Sequence, residues 1–178
     1  MKNRIITTLL LAFTLLLSEG IAAQEFSDLD KSPMDAVAYP TSHRESNKAI
    51  KVIYSRPQLK GRPLSKLTPD AKVWRTGANE ATEITFYKDV NFAGKDVKAG
   101  TYSMFTIPGD KQWTIILNSA TNVWGAYSYD ESQDIARVTV PVSEDKKALE
   151  AFSITFDKDA TMYLGWHTLR VAIPIQVK

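Results

Sequence analysis

The chain has 178 residues, with 22 lysines and arginines against 20 aspartates and glutamates, two histidines and no cysteine. This near-neutral balance gives no general electrostatic reason to seek nucleic acid or an anionic membrane. The lack of cysteine excludes disulfides and thiolate chemistry, and the length supports one domain with a proper core.

The first 23 residues read as a secretory signal peptide. Lys2 and Arg4 form a basic start, residues 5–17 are apolar and uncharged, and Ile21-Ala22-Ala23 is a small-residue exit with cleavage expected after Ala23. The apolar run is shorter than the roughly 20 residues of a comfortable membrane span. Removing Lys2, Arg4 and Glu19 brings 22 basic and 20 acidic residues to 20 and 19. The expectation is an exported chain, periplasmic or extracellular, with no membrane span after cleavage. Residues 24–49 are polar and mixed and read as an N-terminal arm, with a short strand at 36–39.

Strand signals then follow closely. Residues 50–54 are β-branched and aromatic, and residues 82–87 alternate with Ile84 and Phe86 on one face. Ala93-Gly94 marks a tight turn between 90–92 and 95–97, and Ala99-Gly100 leads into a strand at 101–107. Pro108-Gly109-Asp110 has turn chemistry, so 113–117 is the second arm of a hairpin. Val138, Val140 and Val142 share a face, 152–156 alternates, and 162–166 is apolar. In the last segment Leu169, Val171, Ile173, Ile175 and Val177 face one way, and Pro174 implies an unpaired edge. The best helical candidate is 143–149, one or two turns with Ser143 as N-cap. Short strands between turns predict an all-β, antiparallel β-sandwich over 50–178, jelly-roll-like, with about nine or ten strands and at most one short helix.

Several longer motifs occur in order: Tyr54-Ser55-Arg56-Pro57, Lys60-Gly61-Arg62, KVWRTGANEAT at 72–82, AGTYSMFTIPG at 99–109, WTIILN from Trp113 and WGAYSY from Trp124. This set resembles the bacterial family known as domain of unknown function 2911, from about Ile50 to the C-terminus. The resemblance implies an exported bacterial domain and carries no reaction, ligand or catalytic residue. Many members have Pro-Tyr-Gly before Lys-Val-Trp, where this chain has Pro69-Asp70-Ala71.

Candidate site residues cluster in KVWRTGANEAT. Arg75 has the fork to bind a carboxylate or phosphate, Asn79 to hold a polar ligand, Trp74 to form a wall, and Glu80 to act as acid or base if burial shifts it. Gly77 permits positive φ or a close backbone approach. The competing reading pairs Arg75 with Glu80 as a structural clamp and puts Trp74 in the core. Arg56 and Arg62, if they converge with Arg75, make a cationic cavity for an anionic ligand. Trp124 and Tyr127 are either a stacking platform for a sugar or core and corner residues. His43 and His167 are unlinked and match no metal-ligand spacing, so neither metal nor cofactor is expected. Three functions follow, in this order: a small-ligand or glycan-binding module with an arginine-lined polar pocket, a structural or partner-binding envelope protein using a strand edge, and a hydrolase using Glu80 with Asp130 or Glu83 as second carboxylate. Whether the protein is an enzyme is left open by the residues, as is its oligomeric state.

Overall fold

The computed structural model describes residues 24–69 and 71–178. The expected signal peptide, 1–23, and Asp70 lie outside the described residues. Ten strands form among the described residues: β1 Met34–Tyr39, β2 Ile50–Ser55, β3 Thr82–Phe86, β4 Val90–Phe92, β5 Lys95–Val97, β6 Gly100–Ile107, β7 Gln112–Asn118, β8 Asp134–Phe156, β9 Met162–Ile173 and β10 Ile175–Val177. Two single 3-10 turns, Leu64–Lys66 and Glu131–Gln133, interrupt the loops.

Seven strands form one curled antiparallel sheet in the order β1-β2-β3-β6-β7-β8-β9, and three form a smaller sheet, β10-β4-β5. The two pack face to face, as in the expected β-sandwich. The N-terminal arm contributes β1, which pairs with β2 along its whole length. The pairing extends one residue beyond β2 to Arg56, whose N–H donates to the Pro33 carbonyl.

Strand β8 determines the shape. Its first part pairs with β7, from Asp134 to Pro141, and its second part turns over to pair with β9, from Val142 to Phe156. The far end meets the chain leaving β2, through an antiparallel bridge between Gln58 and Ala151. Strand β8 thus belongs to one layer at its start and the opposite layer at its end. The short helix expected at 143–149 is instead part of this strand. The register is lost between Glu144 and Leu149, so the residues between arch away from the ladder without leaving extended backbone. Leu149 folds over Gly165, whose added Cβ would lie 2.9 Å from Leu149 Cδ1.

The layers enclose a core in which Trp74 stacks on Trp166, with centroids 6.0 Å apart and planes 12° apart. Trp113 and Phe152 approach Trp74 edge-on. Pro174 divides the last alternating segment into β9 and β10, and its carbonyl accepts from Ala93 N–H. The alternation survives this break: Val171, Ile173 and Ile175 are all buried.

Candidate functional site

The segment KVWRTGANEAT is a junction with unusual backbone. Trp74 exchanges both main-chain hydrogen bonds with Thr106 at the end of β6, at 2.7 and 2.9 Å. This directs the indole inward and the next residue, Arg75, outward, by the alternation of extended backbone. The chain then loops, and Thr82 N–H returns to the Arg75 carbonyl at 3.0 Å. Within the loop the left-handed residues are Thr76, φ 57°, and Asn79, φ 59°. A β-branched residue is rarely found there and is strained. Thr76 is held by its surroundings: it is fully buried, its hydroxyl lies 3.2 Å from that of Thr106, and its carbonyl accepts from the Thr82 hydroxyl at 2.7 Å. Gly77 serves the second of its two expected purposes, close approach. A Cβ there would stand 2.9 Å from the Ser55 carbonyl oxygen.

The same loop carries a second segment of the sequence with it. Ala81 N–H donates to Val123, Gly125 N–H donates to Asn79, and Glu80 bridges Trp124 through the main chain. WGAYSY is therefore tied beside KVWRTGANEAT. The 119–133 loop lies over the outer face of the large sheet, where Ala81, Phe105 and Ile116 form a small second core, joined by Val73, Val123, Ala126 and Tyr129.

A polar anchor fixes this loop, and sequence reasoning missed it. The Tyr129 hydroxyl donates to Asp134 Oδ2 at 2.8 Å and accepts from Arg137 Nη2 at 2.7 Å, while Arg137 pairs with Asp134 at 2.9 Å. Asn118 Nδ2 reaches both the Asp130 carbonyl and Asp134 Oδ1 at 2.9 Å. Burial raises the Tyr129 hydroxyl above its ordinary range, and donation to Asp134 adds to this. The available signal was Arg137 itself, a fixed cation among inward-facing valines, hence on the other face of its strand.

Between the two tied loops and the 3-10 turn at Leu64–Lys66 lies a cleft of about 440 Å³. Among the described residues its polar lining is Lys66, Thr68, Arg75 and Tyr127, and no carboxylate lines it. Arg75 and Glu80 do not pair within 4 Å. Arg75 Nε is instead shut off from solvent with no hydrogen-bond partner. A cation with an unpartnered buried donor is costly unless an acceptor is brought to it. Tyr127 is 85% exposed and its ring rests on Gly125, where a Cβ would lie 2.7 Å from Cε2. Gly125 has φ 69°, which also favours glycine.

The expected site residues thus fall into separate groups. Arg75 and Tyr127 meet in the cleft, and Trp74, a core residue, forms part of its wall. Trp124 is exposed on the adjoining loop, and Glu80 is exposed beside it. The Asn79 amide lies beside the Asp30 carboxylate of the arm, which is held low chiefly by the Ser32 N–H and then by this amide. Arg56 lies elsewhere, at the seam of β1, β2 and β8. It donates to Asp35 at 2.9 Å, to the Phe152 carbonyl at 3.1 Å and to Ser153 at 2.8 Å. Arg62 donates to the carbonyls of Leu59 and Gln58. The three arginines therefore do not converge, and among the described residues the cations of the cleft are Arg75 and Lys66. Glu83 accepts from Asn122 N–H and Asp130 caps the turn at Glu131–Gln133, so each carboxylate named beside Glu80 has a local partner. Among the described residues no group of three ligating side chains is placed to hold a metal.

Fold and cleft together define an antiparallel β-sandwich with one cationic, aromatic-edged corner. The chain belongs to the family described as "Protein of unknown function (DUF2911)", whose model matches residues 32–175. No curated protein and no solved structure matches it.

Proposed function

We propose that the protein is an exported binding module that holds a small anionic or sugar-like ligand in the cleft between Arg75 and Tyr127. The observation that carries this reading is Arg75, which lines the open cleft without a side-chain hydrogen-bond or ion-pair partner among the described residues; its Nε is shut off from solvent, so its terminal amino groups are the donors a ligand can reach. A structural arginine normally satisfies its donors, as Arg56 does with three partners. Lys66 adds a second positive charge, and the exposed Tyr127 ring supplies an apolar face at the rim. A cleft of this size falls in the range of small-ligand sites, about 300–1,000 Å³. Export rests on the basic, apolar and small-residue succession of the first 23 residues.

The test is calorimetric titration of the wild-type protein with D-galacturonate, D-glucuronate, citrate, inorganic phosphate and neutral hexoses. At least one of these is expected to bind, and Arg75→Gln is expected to weaken it at least tenfold with an unchanged thermal melt. Absence of binding across the panel, or binding indifferent to Arg75→Gln, refutes the reading.

A further inference from the structure

We infer that the ligand class is a uronic acid, the carboxylate-bearing sugar unit of an acidic polysaccharide; this deepens the binding reading above and rests on it. Two recognition elements stand at one small cleft. The first is the Arg75 guanidinium, which lines the cleft and has no side-chain partner among the described residues. Its two terminal amino groups make a planar, end-on pair of donors, which matches the two coplanar oxygens of a carboxylate. The second is a tyrosine ring, 85% exposed and supported from beneath by Gly125. Such a ring offers an apolar surface to the C–H face of a pyranose and a hydroxyl to its polar rim.

In a hexuronate the carboxylate is bonded directly to the ring. Charge and apolar face then lie within one sugar unit, and one compact cleft must read both. Arg75 and Tyr127 line the same 440 Å³ space. Free inorganic phosphate would use the cation and leave the ring without a purpose. A nucleotide would use both, but its base and phosphate are separated by the ribose, whereas charge and apolar face adjoin within one sugar unit of a uronate. Thr68 completes the lining: its hydroxyl donates to the Leu64 carbonyl at 3.2 Å, so its lone pairs remain to accept from a sugar hydroxyl. The near-neutral chain supplies no diffuse positive field, so recognition of an acidic glycan falls to this local pair.

Digalacturonate, its fully methyl-esterified form, inorganic phosphate and AMP are titrated into the full chain and into Tyr127→Ala, Tyr127→Phe, Arg75→Gln and Arg75→Lys. The ester keeps the ring and removes the charge. Digalacturonate is expected to bind at least tenfold more tightly than the ester, and more tightly than phosphate or AMP. Tyr127→Ala should weaken it at least fivefold, while Tyr127→Phe retains most of the affinity. Arg75→Lys keeps the charge without the fork and should still lose several-fold. Equal affinity for acid and ester, or tighter binding of phosphate or AMP, overturns the uronate assignment and leaves the binding reading intact. No binding by any of the four overturns the uronate assignment, and the same result across the wider panel above removes the binding reading as well. Because Tyr127 is exposed, its variants test recognition without disturbing the core.

Discussion

At the scale of single residues, the segment 72–82 is explained by contact and strain more than by chemistry. Gly77 is required because the Ser55 carbonyl occupies the space of a side chain. Gly77→Ala is expected to cost about 1–3 kcal/mol, the usual range for overpacking, measured as a lower urea midpoint with an unchanged m-value. Thr76 and Asn79 carry the left-handed turns that sequence reasoning would have offered to the glycine. Nothing in the letters marks a threonine for positive φ; the hydroxyl contacts that hold it are tertiary. Tyrosines give a second expectation. Tyr54 is pushed up by burial, Tyr129 by burial and its bond to Asp134, and Tyr163 by its bond to Asp157. The neutral phenol is then favoured in the folded state. Its stabilising contribution is complete below the unfolded tyrosine value of about 10 and is lost as pH rises through the higher native values. Denaturation midpoints measured from pH 8 to 11 should fall, and Tyr129→Phe should start lower but fall less steeply. An identical slope in the variant would contradict the role of Tyr129.

At the scale of elements, β8 separates what was legible from what was not. The alternation of Val138, Val140 and Val142 and of 152–156 was read as two strands, and both lie in this one long strand. The residues between them, 143–149, carry polar and charged side chains with Ser143 in front, the pattern of a helical N-terminus. Cross-strand partners at Glu144 and Leu149, and the cover that Leu149 gives Gly165, override that local preference. Period-2 strands were readable because burial on one face imposes them locally. The arch was not, because its cause sits on β9. Its lost register has a measurable consequence. Amides of Lys146, Lys147 and Ala148 should exchange with solvent orders of magnitude faster than those of Val138, Val140 and Ile154. Uniform protection along β8 would show that the arch is closed by contacts other than the ladder.

At the scale of the whole molecule, the curled sheet brings two distant motifs to one corner. KVWRTGANEAT and WGAYSY are separated by strands β3 to β7, yet main-chain bonds from Ala81 to Val123 and from Gly125 to Asn79 tie them together. This is why Arg75 and Tyr127, both legible as candidates, share a cleft, whereas Arg56 does not. Arg56 adjoins a strand end facing β1 and β8, where Asp35, Ser153 and the Phe152 carbonyl take its donors. Lys66 and Thr68 were not legible at all, since their place in the cleft depends on how the turn at Leu64–Lys66 docks. The central claim is that the Arg75 guanidinium receives its acceptor from a ligand, with its Nε–H as the reporter. Side-chain ¹⁵N spectra of the arginine Nε–H groups, recorded while digalacturonate is added, test it most directly. The account predicts a saturable downfield shift of the Arg75 Nε–H resonance, with the Arg56 and Arg62 signals unmoved. An Arg75 resonance that stays in place while the acid is present in large excess would contradict it.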